Sequence, residues 1–196
     1  IMRRARRHPP PTVYPLVSIL IPARDEERNI ARCVQSLLAQ DFPAYEVLVL
    51  DDGSSDGTRS ILNALALTQP RLRVLSGSPL PEGFLGKSWA CSQLSKQARG
   101  ELLLFTDADT TFMPDALKSL VATLDGEGAD LLTGLPRQEV HTWGERLLVP
   151  FFSWVLLSLT PLALVYRLRK PALAIAVGQM LLFRRKAYQA VGGHES

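Results

Sequence analysis

Two aspartates follow an apolar stretch near the middle of the chain. Residues 102–105 read Leu-Leu-Leu-Phe, and Asp107 and Asp109 come soon after them. Consecutive apolar residues, entered from a glycine and left through polar residues, predict a strand that is buried on both faces. Two carboxylates at this spacing repel each other unless a cation compensates them, and in a turn they can converge on one ion. We therefore predict a divalent metal held by Asp107 and Asp109. A polar turn that begins the next helix is the alternative.

The loops that follow other predicted strands also carry carboxylates or glycines. These groups are Glu26 after strand 16–21, Asp51 and Asp52 after strand 47–50, and a glycine-bearing loop at 77–87 that ends at Lys87. An ion held by carboxylates can in turn hold a diphosphate. Asp52 or Glu26 could accept hydrogen bonds from ribose hydroxyls or from a base N–H. The first strand is not followed by Gly-x-Gly-x-x-Gly, so a dinucleotide fold is unsupported.

Strands and helices alternate along the chain. Apolar stripes predict helices at 26–40, after Asp56, at 88–98 and after Pro114, and further strands are predicted at 72–75 and 130–134. This alternation predicts an α/β fold with a mostly parallel sheet and helices on both faces. Right-handed crossovers place the carboxyl ends of the strands at one edge, and ligands of such sheets bind outside that edge. We therefore expect the acidic and glycine-bearing loops to meet in one crevice.

Composition and charge narrow the class of protein. The chain has 196 residues and a net charge of +3, with 46% hydrophobic residues, which fits one globular domain. Its basic residues are clustered, which suits anionic lipid or phosphate, and no nucleic-acid motif is present, so nucleic acid is not expected as a partner. Cys33 and Cys91 lack metal-ligand spacing and are expected to be buried free thiols of a reducing compartment. Residues 1–15, which are basic and rich in proline, are predicted to be a linker.

A long apolar segment lies at residues 147–166 and contains no charged residue. Its length is sufficient for a transmembrane helix. We prefer one or two helices that lie in the membrane interface, broken near Pro161 and with Trp154 and Tyr166 at headgroup level, because a single crossing would separate flanks that a family resemblance described below places in one domain. A buried core helix is the alternative. We expect a membrane-associated protein whose acidic loops lie on the cytoplasmic side.

A second enzyme class also uses an Asp-x-Asp-x-Thr sequence after a buried strand. In phosphatases of the haloacid-dehalogenase type, the first aspartate, here Asp107, is a nucleophile. That chemistry requires a downstream acidic pair for Mg²⁺, but residues 112–196 contain no adjacent carboxylates. The acidic pair Asp51 and Asp52 lies upstream instead, so this alternative is disfavoured.

Several segments of the chain resemble the family-2 glycosyltransferases with the GT-A fold. The three main ones are Val17-Ser-Ile-Leu-Ile-Pro-Ala-Arg-Asp-Glu-Glu27, Val49-Leu-Asp-Asp-Gly-Ser-Ser-Asp-Gly-Thr58 and Thr106-Asp-Ala-Asp109. Residues 178–188 and the following Gly-Gly pair resemble the acceptor-side segment of that family. Residues 86–91 resemble the lipid-directed branch, which includes hopanoid-associated and carotenoid glycosyltransferases.

The resemblance implies transfer of a sugar, with inversion, from a nucleotide-diphosphate donor such as a UDP-sugar to a lipid or lipid-linked acceptor. It implies that Asp109, with help from Asp107, binds Mg²⁺ or Mn²⁺ and that Lys87 contacts the diphosphate. The residues assigned to donor binding are Pro22, Ala23, Asp25, Glu26, Asp51, Asp52, Lys87 and Asp107. Asp25 departs from the family pattern, which more often has Asn there.

The resemblance also sets the expected domain boundaries. Residues 16–196 would form a GT-A domain that is truncated at its C-terminal end, because the family's general base is expected beyond Ser196. Transfer by these 196 residues alone is therefore expected to be weak or absent. A nucleotide-sugar-binding module without catalysis is the remaining alternative.

Overall fold

Six strands form one sheet in the part of the chain that the computed structural model describes, which is residues 8, 9, 11, 13–134, 143, 144 and 178–194. The strands are β1 (Val17–Ala23), β2 (Tyr45–Asp51), β3 (Leu72–Ser76), β4 (Leu102–Thr106), β5 (Leu131–Thr133) and β6 (Met180–Arg184). The helices of this part are α1 (Ile30–Leu38), α2 (Thr58–Ala66), α3 (Gly86–Gln97), α4 (Ala116–Gly126) and α5 (Arg185–Ala190).

The sheet is mostly parallel, as predicted. Its strand order is β3-β2-β1-β4-β6-β5, and the first four strands in this order run parallel to one another. β6 runs antiparallel to both β4 and β5. The carboxyl ends of β1 to β4 therefore lie at one edge of the sheet. The sequence patterns predicted β1 to β5, but neither β6 nor α5.

Apolar side chains fill both faces of the sheet. One cluster contains Ile19, Val49 and Leu104 together with residues of α1, α2 and α4. The other contains Leu48, Phe105 and residues of α3 and α5. Successive residues of a strand point to opposite faces, so strands that are apolar at every position can be covered on both sides. The prediction of helices on both faces is confirmed.

Two element boundaries differ from those predicted. β1 continues through Pro22 to Ala23, although the proline was expected to stop it. β4 pairs with β1 only as far as Leu20, so the missing N–H of Pro22 lies beyond that pairing. Helix α1 begins at Ile30 rather than at Glu26, because the amide of Glu26 donates to Thr58 Oγ1 at 2.8 Å and the next residues form a turn.

A buried polar network joins the strands at the edge opposite the carboxyl ends. Ser18 Oγ donates to Glu46 Oε1 at 2.7 Å and accepts from the amide of Gly100 at 2.8 Å. The amide of Arg99 also donates to Glu46 Oε1, at 2.7 Å. A Cβ atom at Gly100 would lie 2.5 Å from the amide nitrogen of Ser18, so only glycine allows the chain to pass here.

Several predictions concern residues outside the described part of the chain. The apolar segment at 147–166 lies wholly outside it, as do the basic clusters at 1–7 and 167–170. Among the residues that the structure describes, no helix is long and apolar enough to cross a membrane.

Candidate functional site

The loops after β1, β2 and β3 are joined by backbone hydrogen bonds at the carboxyl edge of the sheet. The amide of Asp52 donates to the carbonyl of Ala23 at 2.9 Å, and the amide of Gly77 donates to the carbonyl of Asp51 at 2.9 Å. Arg24 Nη1 lies 4.0 Å from Asp52 Oδ2, within ion-pair distance. The predicted meeting of these loops is therefore observed.

The half-buried carboxylate of Asp52 lies against two glycines. A Cβ atom at Gly77 would lie 2.8 Å from Asp52 Oδ1, and one at Gly86 would lie 3.8 Å from Asp52 Oδ2. The loop after β3 and the first residue of α3 therefore enclose the same carboxylate. Gly77 has to be glycine because any side chain there would displace the carboxylate or the loop.

The first loop is fixed by hydrogen bonds to the second. Asp25 has a φ of 55°, in the left-handed region where Asn and Asp are the favoured non-glycine residues. Its Oδ1 accepts from the amide of Ser55 at 2.7 Å and from Ser55 Oγ at 3.0 Å. Part of the Asp25 carboxylate is thus used within the protein. Glu26 is half-buried, and its Oε2 accepts from Asn29 Nδ2 at 3.1 Å.

Asp51 is buried, unlike its neighbour Asp52. Its Oδ1 accepts from the amide of Ser54 at 3.2 Å, and its Oδ2 lies 3.5 Å from Arg59 Nη1. Both carboxylate oxygens therefore have protein partners. These contacts shape the loop that carries Asp52, and the structure does not present Asp51 to the crevice.

The loop after β4 carries the two aspartates that were predicted to bind metal. Asp107 Oδ1 accepts from Lys87 Nζ at 2.5 Å, in an ion pair in which the side chain of Lys87 is 58% exposed and that of Asp107 is 24% exposed. Asp109 is exposed to solvent. Lys87, from the start of α3, and Asp107, from the end of β4, therefore meet at the predicted crevice.

The buried thiol of Cys33 lies near the loops after β1 and β4. Burial raises the pKa of Cys33 to about 12, with further contributions from the negative charges of Asp109, Glu26 and Asp107. Its Sγ lies 3.6 Å from the carbonyl oxygen of Asp107. Carboxylates from the loops after β1 and β4 thus lie close enough to the thiol to disfavour its charged form. Cys33 and Cys91 are both buried free thiols, as expected.

The donor atoms of this edge suit a hard divalent cation. Mg²⁺ in nucleotide sites is held by one or two carboxylates, with phosphates and water completing the coordination. Asp107 and Asp109 supply two such carboxylates, and Asp109 is free to approach a ligand because it is exposed. Among the described residues, no group of three or more His, Cys, Asp or Glu side chains could enclose an ion. A metal held by Asp107 and Asp109 alone would need phosphate or water for its remaining coordination positions.

A cavity of about 310 Å³ adjoins the Lys87–Asp107 ion pair, and we call it the β4 pocket. Its apolar wall includes Phe105 and Leu181, from β4 and β6. Its polar groups include Lys87, Asp107 and His194. A mostly apolar cavity with a few convergent polar groups is typical of a small-molecule site.

His194 is a pocket residue that the sequence patterns did not single out as functional. Its ring packs 4.8 Å from that of Phe105, and its Nδ1 lies 2.9 Å from the hydroxyl of Tyr188. Burial lowers the pKa of His194, and the nearby charge of Lys87 lowers it further. The Gly-Gly pair before it indicated a turn, but not where that turn would place the histidine.

Comparison with known protein families gives a match over most of the chain. The sequence model described as Glycosyl transferase family 2 matches residues 18–192. Beta-monoglucosyldiacylglycerol synthase of Trichormus variabilis is 38% identical over 115 residues, which are 58% of this chain and 24% of that protein. The 4,4'-diaponeurosporenoate glycosyltransferase of Staphylococcus aureus is 29% identical over 183 residues, which are 92% of this chain and 47% of that protein. The chain thus spans less than half the length of these two relatives.

Solved structures share the fold. The mannosyltransferase PcManGT from Pyrobaculum calidifontis, in complex with GDP-Man and Mn²⁺, has a TM-score of 0.71 and 24% identity, covering 98% of this chain and 51% of that chain. Glucosyl-3-phosphoglycerate synthase from Mycobacterium tuberculosis, with Mn²⁺, UDP and glucosyl-3-phosphoglycerate, has a TM-score of 0.60 and 24% identity, covering 88% of this chain and 57% of that chain. The family match and this GT-A-like fold agree with the resemblance of the three sequence segments, and the chain belongs to glycosyl transferase family 2.

Proposed function

We propose that this chain contains the donor-binding domain of an inverting glycosyltransferase that moves a sugar from a nucleotide diphosphate, such as a UDP-sugar, to a lipid or lipid-linked hydroxyl. The observation that carries the proposal is the meeting of Asp52, Lys87, Asp107 and Asp109 at the carboxyl edge of the sheet in a member of this family. In this proposal the domain comprises residues 16–196, with residues 1–15 as a linker.

Each loop has a separate task in the proposed donor complex. Asp52 and Glu26 accept hydrogen bonds from the base and the ribose, in a loop region that Pro22, Ala23, Asp25 and Asp51 hold in shape. Lys87 contacts the diphosphate and gives up part of its contact with Asp107. Asp107 and Asp109 hold Mg²⁺ or Mn²⁺, which, when bound, neutralises the charge that develops on the departing diphosphate.

The transfer itself exchanges one bond for another. The acceptor hydroxyl oxygen attacks the anomeric carbon of the donor from the face opposite the diphosphate. The bond from that carbon to the phosphate oxygen breaks, and the nucleoside diphosphate departs with the bonding electrons. The proton of the acceptor passes to a base, and we assign that base to none of the described residues.

A lipid acceptor is supported by two kinds of observation. The printed names of two relatives refer to a glucosyldiacylglycerol and to diaponeurosporenoate, and the sequence contains an uncharged segment at 147–166 followed by basic residues. A segment of this composition is suited to the membrane interface, with the basic residues that follow it near lipid phosphates. The free thiols of Cys33 and Cys91 agree with a catalytic part on the cytoplasmic side.

Transfer of label tests the proposal. The full-length chain, rather than residues 1–196 alone, is incubated with radiolabelled UDP-sugars, Mn²⁺ and vesicles that contain a bacterial lipid extract, and the organic phase is then counted. We expect label in the lipid fraction, and a loss of about 100-fold or more in Asp109→Asn, because that variant loses a carboxylate that would hold the metal ion beside the leaving group. Ser60→Ala, on the exposed side of α2, is the matched control and should behave as the wild type.

The other outcomes separate the alternatives. Metal-dependent binding of the donor without release of nucleoside diphosphate would indicate a nucleotide-sugar-binding module and contradict the catalytic proposal. Absence of both donor binding and transfer would contradict the proposal as a whole. Asp107-dependent hydrolysis of a phosphate monoester would instead support the phosphatase alternative.

A further inference from the structure

We infer that α1 positions the β4–α4 loop, which is residues 107–115, and that Ser36 and Gln40 are the positioning residues through which it does so. The loop carries Asp107 and Asp109. The inference rests on the proposed function, because it concerns a divalent cation that these two aspartates hold. It adds residues that set the affinity for the cation through the backbone of the loop rather than by contact with the donor.

The β4–α4 loop depends on other elements for its position, because its residues belong to no helix or strand. The amide of Thr110 donates to the carbonyl of Asp107 at 3.3 Å, which closes a turn that contains both aspartates. The side chain of Asp109 is exposed, so its position follows from that of the backbone. Groups that bind one ligand together have to be held within about 0.5 Å of the required geometry.

One side of α1 contacts the loop at two points. Cys33 and Ser36 lie one turn apart on this helix, so their side chains point to the same side. Cys33 Sγ lies 3.6 Å from the carbonyl oxygen of Asp107. Ser36 Oγ donates to the carbonyl of Cys33 at 2.7 Å and accepts from the amide of Phe112 at 3.1 Å. These contacts hold the loop at its beginning and near its end.

Gln40, which follows α1, holds the end of the loop and the start of α4. It is 6% exposed. Its Nε2 donates to the carbonyls of Ser36 at 3.0 Å and of Met113 at 2.8 Å, and its Oε1 accepts from the amide of Leu117 at 2.9 Å. Amides in the first turn of a helix lack partners within the helix, and Asp115 forms no side-chain cap for α4. The buried side chain of Gln40 therefore supplies the hydrogen bond that a cap residue usually supplies.

The same helix begins at another loop of the candidate site. The carbonyl of Glu26 accepts from the amide of Ile30, the first residue of α1, at 2.9 Å. Helix α1 thus connects the loop after β1 with the loop that carries both aspartates. Loss of the Ser36 hydroxyl or of the Gln40 amide would leave backbone groups of the β4–α4 loop without these partners, so the loop would shift to find others. Outer groups that orient metal ligands typically change metal affinity about 10- to 100-fold when they are removed.

The test measures how much Mn²⁺ is needed for donor binding. Calorimetric titrations of UDP-glucose and GDP-mannose at a series of Mn²⁺ concentrations give the concentration at which affinity is half-maximal. We expect Ser36→Ala and Gln40→Met, which removes the amide at similar volume, to raise this concentration about tenfold. At saturating Mn²⁺ the affinity should return to that of the wild type, because excess ion compensates weaker metal binding by mass action. Ser36→Thr keeps the hydroxyl and should behave as the wild type.

Ser18→Ala is the matched control, because it removes a buried hydrogen bond to the amide of Gly100 at the opposite edge of the sheet. It should be less stable than the wild type but need no more Mn²⁺. An unchanged Mn²⁺ requirement in Ser36→Ala and Gln40→Met would overturn the inference. An equal increase in Ser18→Ala would also overturn it, as would a loss of affinity that saturating Mn²⁺ does not restore. If Gln40→Met does not fold, Ser36→Ala alone decides.

The wild type separates this inference from the proposed function. In each of the contradicting results above, the wild type still binds a donor with Mn²⁺, so the proposed function survives. Failure of the wild type to bind either donor, or binding that does not depend on Mn²⁺, would instead overturn the proposed metal-dependent function and with it the inference.

Discussion

At the scale of single residues, the ion pair of Lys87 with Asp107 relates most directly to the proposed binding of a diphosphate. Its ion pair with Asp107 is largely exposed, and exposed ion pairs contribute only about 0–1 kcal/mol to stability. The same cation next to a carboxylate loop has a clear use once a diphosphate is present, because charge-assisted hydrogen bonds to phosphate are strong. In the proposed donor complex, Lys87 would therefore contribute more to ligand binding than to folding.

We predict that Lys87→Ala weakens binding of a sugar nucleotide about tenfold but changes the free energy of unfolding by less than about 1 kcal/mol. Calorimetry and urea unfolding give the two quantities. Lys87→Arg should retain most of the affinity because it keeps the charge. A large loss of stability with unchanged ligand affinity would show that the pair is structural.

The depressed pKa of His194 predicts how stability depends on pH. Its cause is first burial and then the charge of Lys87, so the folded protein takes up the proton at a lower pH than the unfolded chain does. Unfolded histidine titrates near pH 6.5, at about which the unfolded state begins to bind more protons than the folded state. Stability from this residue is thus complete above that pH and decreases as the pH falls below it.

Urea unfolding at pH 7.5 and pH 5.5 measures this effect. We expect the wild type to lose more stability between these two values than His194→Gln, which cannot be protonated. An equal loss in both proteins would contradict the assignment of a buried, neutral imidazole at this position.

At the scale of helices and strands, the sequence predicted the elements that have a clear local pattern of apolar residues. The apolar run at 102–105 and the stripe of α4 predicted elements that the structure confirms. β6 was not predicted because five residues pass directly into α5 without a turn residue between them. Its antiparallel pairing with β4 joins segments that are distant in sequence, so no local pattern could indicate it.

The same distinction applies to the site. The meeting of the acidic loops followed from the predicted parallel sheet, since parallel strands place their carboxyl ends together. The internal use of Asp51 and Asp25 could not be predicted, because it depends on hydrogen bonds with Ser54 and Ser55 that only the loop geometry reveals. His194 was missed for a similar reason: its place beside Phe105 depends on β6 and α5.

The loop after β3 supports a prediction about Gly77. Its substitution by alanine would place a Cβ atom 2.8 Å from Asp52 Oδ1, so either the carboxylate or the loop must move. We expect Gly77→Ala to weaken nucleotide binding about tenfold. Its effect on the free energy of unfolding should be smaller than the free energy that corresponds to this loss of binding. Nucleotide titrations by fluorescence quenching measure the first effect and thermal melts the second. Gly144→Ala, in open space, is the control, and wild-type affinity in Gly77→Ala would argue against a role for Asp52 in binding.

At the scale of the whole molecule, a buried polar network and the candidate binding site lie at opposite ends of the strands of the sheet. The network of Ser18, Glu46 and Gly100 lies at one edge and the candidate site at the opposite edge. Between them are strands whose side chains are buried on both faces. Changes at the network edge should therefore affect folding without moving the site.

Ser18→Ala tests this separation. The substitution removes the acceptor of the buried Gly100 amide, which should cost about 1–3 kcal/mol of stability. The affinity for nucleotide should equal that of the wild type at a temperature where both proteins are folded. A comparable loss of affinity in the folded variant would mean that the two edges are coupled through the sheet.

We propose that carboxylates at the carboxyl edge of the sheet hold a divalent cation that binds the phosphates of a sugar nucleotide. Titration of UDP-glucose and GDP-mannose into the protein by calorimetry, with Mn²⁺ and with EDTA, tests it most directly. We predict saturable binding of at least one donor that requires Mn²⁺ and that Asp109→Asn abolishes while the variant remains folded. Binding of equal strength in EDTA, or in Asp109→Asn, would contradict the claim.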